Sequence, residues 1–208
     1  NIVNIYYTLD ENGPEGKEDG IPDKYQVTFT YQAEANAHGT VTGTTSEVKT
    51  IREIQKDAEG IITSVGAVTP AKPAQPSTIS ADTGYHFDKW TDESGNEYKD
   101  DAALKAAGFA VNKTFTARFT PDAQTYTVQH VDEDTDRIIE TSEAKATIFG
   151  AVINGVNEKV KLNGYAFVKA DDLTVGIDNS KNIVKVYYST DTWSDPKADP
   201  ELDLDPET

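Results

Sequence analysis

Cysteine and methionine are both missing from this chain of 208 residues. No disulfide, thiol nucleophile or Cys-ligated zinc is therefore open to it. With no Met even at position 1, the sequence is expected to be an internal piece of a longer polypeptide. Long apolar runs are missing too: nothing approaches the roughly 18 residues of a membrane-spanning helix, and no signal peptide is visible. Cations are scarce, with 19 Lys and Arg against 36 Asp and Glu, a formal charge of −17 and a pI near 4.4. Phosphate binding needs Lys and Arg, so nucleic acid is disfavoured as a partner. Simple charge attraction to anionic membranes or sulfated polymers is disfavoured for the same reason. The three histidines, His38, His86 and His130, are scattered, and no Ser/His/Asp order, HExxH or phosphate loop occurs. No enzyme is expected; the many carboxylates leave a glycoside hydrolase as a third reading only.

What is present is strand-forming sequence. Tyr25, Val27, Phe29 and Tyr31 alternate along residues 25–31, the period of a strand with one buried face. Residues 114–120, 126–131 and 183–188 repeat that pattern with β-branched and aromatic residues. Residues 131–139 suggest a hairpin turning at 133–136. One helix is predicted over residues 100–107, acidic at its start and closed by Gly108; a short second one is suggested near 151–157. Residues 68–80 suggest a long loop or edge strand, residues 121–124 a hinge, and residues 191–208 an extended Asp/Pro-rich linker.

The chain also echoes itself. Residues 1–10, NIVNIYYTLD, match residues 182–191, NIVKVYYSTD, at six of ten positions. Gly84-Tyr-His-Phe87 and Gly164-Tyr-Ala-Phe167 lie 80 residues apart, each ahead of a final strand. Such internal repetition indicates two variants of one plan. The expected fold class is mainly β (α+β), with two tandem β-grasp-like modules whose mixed sheets each carry at most one short helix.

Residues 126–136, Gly164-Tyr-Ala-Phe-Val168 and Asn182-Ile-Val-Lys-Val-Tyr-Tyr188 together resemble the MucBP (mucin-binding-protein) repeat of Gram-positive surface proteins. The order of motifs carries the likeness over residues 124–189. It departs at Asp136, where the family usually has Gly, and at His130, where an aromatic is common. Gly84-Tyr-His-Phe-Asp-Lys-Trp90 and Lys113-Thr-Phe-Thr-Ala-Arg-Phe119 are similar to Listeria–Bacteroides or internalin B-repeats. The resemblances imply a division into residues 1–23 (closing strand of a preceding repeat plus acidic linker), 24–121 (B-repeat-like), 122–190 (MucBP-like) and 191–208 (linker). One period is then about 181 residues, the offset between the two echoes. They further imply a wall-anchored extracellular stalk or adhesion module, with neighbouring repeats of the same chain as partners and host mucin glycans or extracellular matrix as ligands. A dedicated glycan- or mucin-binding module is the alternative. The lack of Cys fits that setting.

Candidate sites follow from residue type. Trp90 and Tyr98, with Trp193, are candidates for stacking on sugars, against the plainer reading of Trp90 as a core residue. Asp10, Asn12, Asp19 and Asp23 alternate along an acidic, Gly/Pro-rich stretch that suits a structural calcium ion. Lys17 breaks the ligand register, so a solvated linker is the plainer reading. Asp132, Asp134 and Asp136 suit either an oxygen cage or a hairpin turn. A Lys–Asn isopeptide bond, known in Gram-positive surface domains, has Lys113, Lys159, Lys161 and Lys185, with Asn112 and Asn182, as candidates by type alone.

Overall fold

The computed structural model describes residues 20–35, 37–74 and 78–190. The chain divides into two compact units, meeting in sequence between Thr120 and Pro121. It is mainly β, with one α-helix and several sheets of mixed direction among the described residues.

Unit 1 contains β1 (Gln26–Ala33), β2 (Gly39–Thr42), β3 (Ser46–Thr50), β4 (Arg52–Lys56), β5 (Ile62–Val68), β6 (Thr78–Ala81), β7 (Tyr85–Asp92), β8 (Glu97–Tyr98), α1 (Asp101–Ala106) and β9 (Lys113–Pro121). The main sheet runs β3-β1-β9-β7-β8. Its centre is a parallel pair, β1 with β9, from Phe29 opposite Lys113 to Ala33 opposite Ala117. β3 joins β1 antiparallel, while β2–β6 and β4–β5 form separate two-stranded ribbons. The alternation of β1 holds: Val27, Phe29 and Tyr31 are buried. Tyr25 does not belong to it; it closes a 3-10 turn, Asp23–Tyr25, and is half-buried. The core joins these residues to Ile51, Trp90, Leu104, Phe115 and Ala117, with Tyr31 stacked on Phe115 at 5.7 Å. α1 starts where Asp100 accepts the Ala103 amide, a side-chain N-cap.

Unit 2 contains β10 (Ala123–Asp132), β11 (Arg137–Thr141), β12 (Lys145–Ile148), β13 (Val152–Ile153), β14 (Tyr165–Ala170), β15 (Leu173–Thr174) and β16 (Ile183–Thr190). Its sheet runs β11-β10-β16-β14, with β12 also on β10. Again the first and last strands form a parallel central pair, here Thr127 opposite Ile183 through Asp132 opposite Tyr188. A crossover must join parallel neighbours. In unit 2 the chain between β10 and β16 holds, besides strands β11 to β15, two 3-10 turns, Gly155–Glu158 and Asn179–Lys181, and no α-helix among the described residues; the first stands in place of the helix suggested near 151–157. The expected hinge at 121–124 narrows to Asp122, since β9 runs through Pro121 and β10 starts at Ala123.

Both main sheets therefore contain the strand order second, first, last, third, which is the β-grasp order, with β8 added beyond the third strand in unit 1. The two Gly-Tyr-x-Phe echoes begin the equivalent third strands, β7 and β14. Gly84 and Gly164 lead in at φ +85° and +78°, a backbone region that only glycine enters without strain.

Candidate functional site

The densest chemistry in unit 1 gathers where β7 ends. Residues 92–96, Asp-Glu-Ser-Gly-Asn, have the composition of a tight turn, and the Asp92 carboxylate organises it. Oδ1 accepts the amides of Ser94 and Asn96, both at 2.9 Å. Oδ2 accepts the Asn96 side-chain amide at 2.9 Å, the Lys113 ammonium at 2.9 Å and, more distantly, the Tyr98 hydroxyl at 3.4 Å. Lys113, first residue of β9, also lies 3.2 Å from Glu93. The Asp92 side chain is fully buried and that of Lys113 is 12% exposed.

Burial pushes the Asp92 carboxyl up, but the bonds from Asn96, Lys113 and the turn amides outweigh it and hold the group well below the usual carboxylate range. The bond to Asp92 raises Lys113 above the ordinary lysine value, against the opposing effect of burial. Burial first, and then Asp92, raise the Tyr98 hydroxyl. The cluster is thus a fixed ion pair: its carboxylate stays ionised and its amine stays protonated. Such an amine is not a nucleophile, and such a carboxylate is a poor proton shuttle at neutral pH.

Beside it runs a groove of about 490 Å³ lined by Thr28, Thr30, Glu93, Asn112, Lys113 and Thr114. Hydroxyls and one charge pair line it, and no aromatic ring does. Carbohydrate sites gain much of their affinity from apolar and aromatic faces, which this groove lacks.

The sequence-derived candidates fare unevenly. Trp90 is fully buried, and its indole donates to Asp101 at the start of α1 over 2.9 Å. It is a core residue and presents no face to a sugar, because the inward side of β7 must fill the space beneath α1. Tyr98 is half-buried, its ring edge-on to Phe109 and Phe115 and its hydroxyl turned to Asp92; it too is a packing residue. The stacking pair that sequence inspection missed is exposed His38 on half-buried Tyr85, with rings 3.9 Å apart. Trp193, Asp10, Asn12 and Asp19 lie outside the described residues. Asp23 heads the 3-10 turn. Among the described residues no three His or carboxylate side chains gather as a metal would require. Asp132 instead anchors its hairpin by accepting the amides of Asp134 and Thr135.

The isopeptide candidates do not meet one another. Asn112 accepts the Thr28 amide at 2.8 Å, and Asn182 is spent on Gly176 and Thr125. Lys159, Lys161 and Lys185 are exposed. The amide that does share a carboxylate oxygen with a lysine is Asn96, which no sequence pattern singled out.

A second cluster lies in unit 2. Glu158 Oε1 accepts the Tyr126 hydroxyl at 2.8 Å, and Oε2 is paired with Lys145. His130 packs beneath, with Nε2 at 3.2 Å from the Glu158 carbonyl and Nδ1 at 2.9 Å from Glu140. Burial and then Glu158 push the Tyr126 hydroxyl up to about 12. Burial raises Glu158, but Lys145 and Tyr126 bring it below its usual value. This again is a structural clasp.

No family model matches this chain. No curated protein matches it either. Among the described residues no helix is long and apolar enough to cross a membrane.

Proposed function

We propose that the chain is a load-bearing repeat segment of a cell-wall-anchored bacterial surface protein. Its two units would serve as stalk modules outside the cell. One observation carries this reading: in each unit the first and last strands among the described residues are adjacent and parallel. Tension on the two ends of such a unit pulls the paired strands past each other. All the hydrogen bonds of the pair then bear load together, rather than parting one at a time as at the end of a hairpin. The ion-paired clusters at Asp92–Lys113 and Tyr126–Glu158 support the same reading, because they tie β7 to β9 and β10 to the crossover. The charge of −17 would keep neighbouring stalks apart. Repetition along one axis is the organisation of quasi-one-dimensional proteins.

The test is single-molecule extension of the chain held at its two ends. Two separate unfolding peaks at high force are expected, the longer length gain belonging to unit 1. A smooth extension without peaks would sink the proposal.

A further inference from the structure

An asparagine followed by glycine can react with its own backbone, because glycine has no Cβ to shield the neighbouring nitrogen. The chain holds three such pairs, at 12–13, 154–155 and 163–164. The first lies outside the described residues. The other two both fall between β13 and β14, and they differ in how their reacting groups are held.

At 154–155 both groups are tied down. The Asn154 side-chain oxygen accepts the Val156 amide at 3.0 Å, and the Gly155 amide donates to Asp172 at 3.0 Å. Gly155 is buried, with the Asp171 carbonyl against it. At 163–164 they are free. The Tyr165 amide donates to the Leu162 carbonyl at 3.3 Å and so closes a turn around the pair. Gly164 has φ +78°, as the third position of a type II turn requires. Asn163 and Gly164 are both exposed, and nothing stands within 4 Å of where a Gly164 Cβ would be. Among the described residues neither the Asn163 side chain nor the Gly164 amide has a hydrogen-bond partner. Unit 1 builds the same turn at 82–85, with the Tyr85 amide on the Asp82 carbonyl at 3.0 Å and Gly84 at φ +85°. There the residue before glycine is Thr83, whose hydroxyl offers no carbonyl to attack.

We propose that Asn163 is a spontaneous deamidation site, which ages unit 2 at a turn whose counterpart in unit 1 is inert. The Gly164 nitrogen loses its proton to water and attacks the side-chain carbonyl carbon of Asn163. A C–N bond forms, the bond to the side-chain nitrogen breaks, and that nitrogen leaves as ammonia after taking up a proton. Water then opens the cyclic imide at either of its carbonyls. One opening yields aspartate; the other yields isoaspartate, whose main chain runs through the former Cβ. The step consumes water alone and needs no oxidant or cofactor. Isoaspartate lengthens the backbone just ahead of Tyr165, which pairs with Thr190 and accepts a bond from Arg137 through its hydroxyl. The edge strand β14 then loosens from β16 at that end, while the central pair of β10 and β16 stays in place. The proposal does not depend on the load-bearing reading, since the chemistry needs no tension.

The test ages the full chain, freshly prepared with both amides intact, in mildly alkaline buffer and samples it by peptide mass mapping. The peptide holding Asn163 is expected to gain about 1 Da, as an amide becomes an acid, with isoaspartate among the products separated by chromatography. Conversion at Asn154 should be at least about tenfold slower while the chain is folded. In urea the two rates should converge, which separates the effect of the fold from that of the neighbouring residues. A lasting Asn163 amide in the folded chain, or equal conversion at the two sites, would overturn the proposal. So would a difference between them that survives in urea. Amide exchange in the aged chain should quicken over residues 165–167 and stay unchanged over 127–132; unaltered exchange at 165–167 would refute the loosening of β14.

Discussion

The Tyr188 hydroxyl holds Val160 twice, donating to its carbonyl at 2.9 Å and accepting its amide at 2.8 Å. A residue on the inner strand thereby fixes the crossover that must pass over the sheet. Tyr188→Phe keeps the ring and leaves two backbone groups without that partner. It should cost unit 2 about 1–3 kcal/mol, read as a lowered denaturant midpoint for unit 2 with unit 1 unchanged.

The Asp92–Lys113 pair makes a claim about acid. Asp92 has its folded value below the unfolded one, so its contribution is complete above the ordinary carboxylate range. It is lost as pH falls through that range toward the folded value. Unit 1 should therefore weaken progressively below about pH 4. Asp92→Asn leaves Lys113 with Glu93 alone and should cost about 2–4 kcal/mol at pH 7, while flattening the acid dependence. Fluorescence of the buried Trp90, measured across a urea series at several pH values in chains with Trp193→Phe, would report both effects. An unchanged slope in the variant would refute the assignment.

The same pair predicts a mass. Lys113 and Asn96 share one oxygen of Asp92, but a protonated amine cannot attack the amide. The intact chain should weigh what its sequence weighs. A deficit of one ammonia, about 17 Da, mapped by peptide digestion to Lys113 and Asn96, would show that the amine loses its proton during folding.

Gly155 allows the crossover of unit 2 to lie against the backbone. A Cβ there would sit 2.2 Å from the Asp171 carbonyl oxygen and 3.1 Å from the Ala170 Cβ. Gly155→Ala should destabilise unit 2 by about 3 kcal/mol, and a neutral result in thermal melts would mean that the crossover packs otherwise.

Asp136 sits at φ +55° in the β10–β11 turn, a left-handed conformation that favours glycine. Asp136→Gly should leave unit 2 unchanged or more stable by up to about 1 kcal/mol. Marked destabilisation would assign the aspartate a role beyond the turn.

Much of this molecule is written locally. The alternation of Val27, Phe29 and Tyr31, the short helix with its acidic start near residue 100 and the turn at 133–136 each depend on neighbours a few residues away, so sequence alone exposes them. The echo between residues 1–10 and 182–191 needs no structure at all. Between residues 34 and 80 the polar, Thr-rich sequence hid two ribbons, because β2–β6 and β4–β5 are half-exposed and carry little apolar alternation.

Tertiary structure decided the rest. Trp90 and Tyr98 have the composition of a sugar platform, and only the packing of α1, β8 and β9 against β7 shows that they face inward. Lys113 meets Asp92 across 21 residues, and Thr28 meets Asn112 across 84; no local spacing encodes such partners. The parallel pairing of first and last strands is equally non-local, since the choice between parallel and antiparallel neighbours is made by the crossover that returns the chain to the sheet. Residue order along the chain set which faces are apolar, while burial of those faces against distant segments selected the partners and the charge state of each buried group.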